Sequence, residues 1–172
     1  EELGFDLYNK ILEETVAELK GEEIVRLPDT KLEMNIEIYL PDYYVNDNQH
    51  KVDIYRRLAD SVNLDTVEKI REEITDRFGR MPRSAVNLIE ATAVKILAAM
   101  LGMQKVVIRK GRVMLVFDAE RQLTRSEVES FRRATDQPLE FSFFNQTQIM
   151  IDLSAIAEND RLAYLRGILA KI

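Results

Sequence analysis

The sequence contains no cysteine, which excludes disulfides, thiolate metal sites and cysteine nucleophiles. Its only histidine, His50, lies in a polar run between Asp47 and Asp53. A metal site needs several convergent ligands, so His50 reads as an exposed residue at a helix start. The six glycines (Gly4, Gly21, Gly79, Gly102, Gly111, Gly167) are too dispersed for GxGxxG or a P-loop, so the chain should not cradle a nucleotide phosphate. No serine stands in a GxSxG elbow. No apolar run approaches the roughly 20 residues that span a bilayer, and Glu1-Glu2 does not open a signal peptide. We expect no membrane contact and a cytoplasmic location. The start without Met leads us to expect a piece of a longer polypeptide.

What is present is a chain of 172 residues, 46% hydrophobic and 31% charged. That is enough for one sizeable domain or two small ones. Lys plus Arg number 24 against 30 Asp plus Glu, a net charge of −6, opposite to what displacing counterions from duplex phosphates requires. The charge is uneven. Residues 1–102 carry 13 basic and 21 acidic side chains (−8), and residues 103–172 carry 11 and 9 (+2).

Apolar spacing predicts a helix over 3–20, then a strand over Leu32–Leu40, where apolar and polar residues alternate until Pro41. Three helices are expected next: 48–61 with Val52, Tyr55, Leu58, Ala59 and Val62 on one side, one started by an Asp65/Glu68 capping box and closed at Gly79, and one from Pro82 to about Leu101. Beyond residue 103 the pattern is β-β-α-β-β-α. A tight turn is expected at Lys110-Gly111, a capping box at Thr124/Glu127, and a second strand pair around Asn145-Gln146. The fold class is α+β.

On the second of the three helices, Val67, Ile70, Ile74 and Phe78 share one side, while Asp65, Glu68, Glu72 and Asp76 fall almost opposite, with Glu73 at the margin. A solvated face in which Glu73 pairs with Arg77 accounts for this pattern. So does a docking strip for arginines, which grip carboxylates bidentately. The surface tyrosines Tyr43, Tyr44 and Tyr55 read as contact residues or as half-buried packing.

Four blocks then occur in order: Gly4-Phe5-Asp6-Leu7-Tyr8, Leu40-Pro41-Asp42-Tyr43-Tyr44, Tyr55-Arg56-Arg57-Leu58-Ala59, and Glu73-Ile74-Thr75-Asp76-Arg77-Phe78-Gly79-Arg80-Met81-Pro82. Over residues 3–102 the chain resembles the C-terminal region of the bacterial transcription-repair coupling factors. It departs from their pattern at Lys51-Val52, where Arg-Leu is usual, and at Arg80, where Pro is usual. The resemblance implies that residues 1–24 connect to an upstream motor. Residues 25–172 would form a regulatory domain, helical over about 25–102 and β-rich over about 103–172.

It further implies a domain without catalysis or cofactor of its own. In the parent, ATP and Mg would serve an upstream DNA translocase that displaces RNA polymerase stalled at lesions and recruits the excision-repair protein UvrA. The domain would dock on a UvrB-like module of the same polypeptide, masking UvrA binding and restraining the motor. The implied docking acids are Glu73 and Asp76, with Glu72, Arg77 and Arg80 beside them. Two other readings remain at this point. One is a nucleic-acid-binding module using Lys105, Arg109, Lys110 and Arg112, and the other is a small hydrolase with two carboxyls of split pKa.

Overall fold

The computed structural model describes Leu27 and residues 29–172. The expected helix over 3–20, the connecting segment 1–24 and the Gly4–Tyr8 block lie outside the described residues. The remainder is α+β, with five helices and a five-stranded sheet. Strand β1 spans Lys31–Met34, and helices α1 (Asn48–Asp60), α2 (Leu64–Phe78) and α3 (Arg83–Met100) follow. Strands β2 (Met103–Arg109) and β3 (Arg112–Phe117) precede α4 (Arg125–Ala134). Strands β4 (Leu139–Ser142) and β5 (Gln148–Asp152) precede α5 (Arg161–Ala170).

Contacts group the chain into two units, and their boundary falls inside α3, between Ile96 and Leu97. The first described unit is helical, Ile36–Ile96. It is built from helices whose apolar stripes turn inward: Ile54, Tyr55 and Leu58 of α1, and Val67, Ile70 and Ile74 of α2, are all buried. Helix α3 is buried on more than one side, and small residues (Ala85, Ala91, Ala93) are fully inaccessible there beside Leu88, Ile89 and Val94. Full burial of each Leu, Ile or Val contributes roughly 1.5–3 kcal/mol. The expected stripe of α1 is corrected at its edges: Val52 and Val62 are 48% and 46% exposed.

Two local expectations are replaced here. Helix α2 is capped by Asn63, whose Oδ1 accepts from the Thr66 N–H at 2.9 Å, and not by an Asp65/Glu68 box; Asp65 lies inside the first turn. The strand expected to run to Leu40 stops at Met34. Burial still alternates, with Ile38 and Leu40 in the core, but the backbone satisfies itself on helices and loops instead of a ladder. The Leu40 N–H donates to Tyr55 Oη at 2.7 Å, the Tyr39 N–H to Ser84 O, and Asn87 Nδ2 donates to Glu37 O at 3.1 Å. Period-two burial reports which side chains are dry, not which strand is next door.

The second unit comprises residues 29–35 and Leu97–Ile172. The first strand therefore joins the sheet of the β-rich part, although it precedes the helices in sequence. The strand order is β1-β2-β3-β5-β4. Strands β1 and β2 are parallel, with Leu32 opposite Val106, and the other pairs are antiparallel. Between β2 and β3, Lys110 (φ 50) and Gly111 (φ 79) both take the left-handed conformation that a two-residue hairpin turn requires. A Cβ at Gly111 would stand 2.9 Å from Ser154 Cα, so no side chain fits. The dry sheet face carries Val113, Leu115 and Phe117 of β3 with Ile149 and Ile151 of β5. Phe131 of α4 meets the Phe117 ring edge-on at 6.3 Å, and Leu162, Leu165, Ile168 and Leu169 of α5 are buried. The Thr124/Glu127 capping box forms as expected.

Candidate functional site

The helical unit positions α2 through the two tyrosine-bearing blocks. Pro41 O accepts from the N–H groups of Tyr44 and Val45, turning the loop so that Tyr44 reaches the end of α2. There Tyr44 Oη donates to Gly79 O at 2.7 Å, and its ring stands edge-on to Phe78 at 5.9 Å. Gly79 supplies the positive φ of 85° that ends the helix, while its N–H donates to Thr75 O. Burial raises the Tyr44 pKa above its ordinary value. Tyr55 is buried and holds Leu40, as described above; Tyr43 is 82% exposed. The Leu40–Tyr44 block and the Phe78-Gly79 end of α2 are thus one hydrogen-bonded unit, and Lys51 of α1 closes onto Asp42.

The acids of α2 divide into two kinds. Glu73 faces α1 and is gripped by Arg57: Nη1 to Oε1 at 2.9 Å and Nη2 to Oε2 at 2.6 Å. This bidentate contact, chiefly its hydrogen bonds, holds the Glu73 carboxyl below its ordinary value and raises Arg57. Glu73, expected to be open to an external guanidinium, is therefore already held by Arg57 within the chain, and the expected partner Arg77 adds only a smaller Coulombic pull on it. Arg77 instead places Nη2 3.3 Å from His50 Nε2, with its guanidinium 5.2 Å from the Phe78 ring centroid. His50 is half-buried and takes part in this cross-helix contact, which no local spacing announces.

Glu72 and Asp76 form the second kind. Both are exposed, and neither makes an ion pair or side-chain hydrogen bond among the described residues. One helical turn apart, their Cβ atoms are neighbours at about 5–6 Å. Asp65 continues the strip toward the N-terminus, and Glu68 lies on it with Arg71 Nη1 at 3.5 Å. Arg80 is exposed just beyond the helix. Among the described residues, the outward strip therefore carries two carboxylates without an ion pair, a face suited to a cationic surface.

The basic hairpin is arranged differently. Lys105 and Arg109 share the Glu33 carboxylate, at 3.1 and 3.7 Å, so two of the four cations expected to face nucleic acid are engaged within the sheet. The displaced carboxyls of the described residues, Asp42, Glu73, Glu127 and Asp152, all move downward. Asp42, Glu73 and Glu127 are lowered as ion-pair partners and Asp152 as acceptor for the Ser154 backbone N–H and hydroxyl, whereas a general acid needs a raised pKa. Among the described residues no group of His, Asp and Glu is placed to hold a metal ion, and no helix is long and apolar enough to cross a membrane.

The family model described as TRCF domain matches residues 34–128. The chain belongs to this family. The match covers the Leu40–Tyr44 loop, α1 to α3, the β2–β3 hairpin and the start of α4. Among full-length relatives, the chain is similar to the transcription-repair-coupling factor of Staphylococcus haemolyticus, 34% identical over 148 residues, which is 85% of this chain and 12% of that protein. The transcription-repair-coupling factor of Rickettsia typhi is 36% identical over 107 residues, 60% of this chain and 9% of that protein. The chain thus spans about an eighth of the length of the first of these curated relatives. The fold is that of a crystal structure of the C-terminal domain of a transcription-repair coupling factor, with a TM-score of 0.76 and 22% identity, covering 86% of this chain and 94% of that one.

Proposed function

We propose that this TRCF domain is a non-catalytic regulatory module of a transcription-repair coupling factor and acts by docking the outward face of α2 on a basic surface of its own parent polypeptide. Family membership supports the parent; the carboxylates of Glu72 and Asp76, unpaired among the described residues, carry the docking assignment. In this reading the surface belongs to the UvrB-like module of the parent, and docking covers the site for UvrA and restrains an ATP- and Mg-dependent DNA translocase that displaces stalled RNA polymerase. ATP, Mg and DNA are then handled upstream of this domain. Solvated charge pairs are worth about 0–1 kcal/mol each, so a face held by a few of them closes without becoming permanent. By linkage, whatever opens it must supply the free energy that closes it.

The test is charge reversal at these two acids. Glu72→Arg with Asp76→Arg should weaken binding to the isolated UvrB-like module about tenfold or more at ~0.1 M salt, and should reduce the salt dependence of what binding remains. Unchanged affinity and unchanged salt dependence would remove the docking assignment and leave only the family.

A further inference from the structure

We propose that Arg57 is an internal competitor for the guanidinium groups received by the α2 face: it occupies Glu73 while the domain is undocked and yields it to a partner arginine on docking. The proposal rests on the docking reading above and adds to it how the face is regulated. Glu73 directly follows Glu72 and sits three residues before Asp76, hence beside Asp76 on the helix surface. Both of its oxygens are already taken by Arg57, in the paired geometry that an incoming arginine would itself adopt. The pair is open to solvent, with Arg57 36% and Glu73 42% exposed, so the exchange does not expose a buried charge.

Arg57 also has a second carboxylate to fall back on. Asp53 lies one turn earlier on its own helix, with Oδ2 3.8 Å from Arg57 Nη1, while its Oδ1 accepts from Arg56 Nη2 at 2.9 Å, so Arg57 would share it. Arg77, the other cation near Glu73, contacts His50 and the Phe78 ring and adds only a smaller Coulombic pull on Glu73 than Arg57 does. Exchange of one guanidinium for another conserves the number of ion pairs. Docking through Glu73 is then weak by construction, and its strength is set by how firmly Arg57 holds on.

The experiment measures affinity of the 172-residue chain for the UvrB-like module of its parent. Arg57→Gln should raise affinity about 3- to 10-fold, because Glu73 becomes available. The gain should vanish in the double variant with Glu73→Gln, while Glu73→Gln alone changes affinity by less than about twofold. Arg57→Lys keeps the charge but loses the paired grip, so it should give a smaller gain and guards against misfolding of the Gln variant, with thermal unfolding as the check. If both Arg57 variants fold and affinity stays level or falls, while Glu72→Arg with Asp76→Arg still weakens binding, the competitor is overturned and docking stands. If the charge reversal is also without effect, docking and competitor fall together.

Discussion

Each of the two units is built internally with a different emphasis. In the helical unit, irregular chain is fastened to helices by particular polar atoms: Tyr55 Oη to Leu40 N, Tyr44 Oη to Gly79 O, Asn87 Nδ2 to Glu37 O, and the Arg57–Glu73 pair. In the sheet unit most of the backbone satisfies itself strand by strand around Phe117, Phe131, Ile149, Ile151, Leu153 and Leu165, all sealed from solvent, and polar fastenings are fewer beside it: Thr30 Oγ1 to Met103 O, Gln146 Nε2 to Phe117 O and Arg161 Nε to Leu153 O. A polar fastening needs one residue type at one place, since a buried donor that loses its acceptor costs more than the bond itself contributed. An apolar interior accepts many residues of similar volume. The blocks Leu40–Tyr44, Tyr55–Ala59 and Glu73–Pro82, which carry the resemblance in the described residues, fall in the helical unit, where the polar fastenings are concentrated, although the family match itself runs on to residue 128.

The comparison can be broken most forcefully in the sheet unit. Phe117→Ala removes a ring with no solvent exposure that packs edge-on against Phe131. A loss of about 3–5 kcal/mol of unfolding free energy is expected, read by denaturant titration. Phe117→Leu should recover most of it, because volume and apolarity are largely kept. If the leucine variant is as damaged as the alanine one, the sheet interior depends on specific shape as much as the helical unit depends on specific atoms.

The matching test in the helical unit changes one oxygen. Tyr55→Phe keeps the ring at its buried position but leaves the Leu40 N–H without the acceptor it now has at 2.7 Å. The expected cost is about 1–3 kcal/mol, the range for an unsatisfied buried donor. The measurement is amide exchange at Leu40 together with global unfolding. A Phe variant as stable as the parent chain would show that water replaces the phenol, and that the block is not the fastening described here.

How far these contacts can be read from sequence depends on their range. The Lys110-Gly111 turn, the Thr124/Glu127 box and the Gly79 helix end were legible because each is set by residues within a few positions. The cap of α2 was missed by two residues, since Asn63 and Asp65 are both good caps and only the backbone angles at Asn63 (φ −146, ψ 162) distinguish them. The run from Leu32 to Leu40 carried the right burial alternation and the wrong element, because its later backbone partners come from Tyr55, Ser84 and Asn87. The candidate site was legible as an acidic face. Its division into engaged Glu73 and open Glu72 and Asp76 was not, because Arg57 lies 16 residues away on another helix and no periodicity links the two.

The smallest expected effect sharpens the comparison through pH. Glu73 in the helical unit and Glu127 in the sheet unit both have their carboxyl pKa lowered below the ordinary 4.5, Glu73 chiefly by the Arg57 hydrogen bonds and Glu127 chiefly by Arg121, then by the Thr124 backbone N–H. For a carboxyl lowered on folding, the unfolded chain takes up the proton first. The stabilisation is therefore complete above about pH 4.5 and is lost as pH falls through each folded value. Both groups are partly solvated, with side chains 42% and 28% exposed, so each contributes on the order of 0–1 kcal/mol. Glu127→Gln keeps an oxygen for the capping box and removes only the charge, so the acid limb of stability should flatten for amides of the sheet unit while protection near neutral pH falls slightly. Glu73→Gln should flatten it for amides of the helical unit alone. Amide exchange protection, corrected for intrinsic rates and followed from pH 6 to about 3, reads the two units separately. If either variant flattens both limbs, the units unfold as one, and their different fastenings are two ways of building a single cooperative domain.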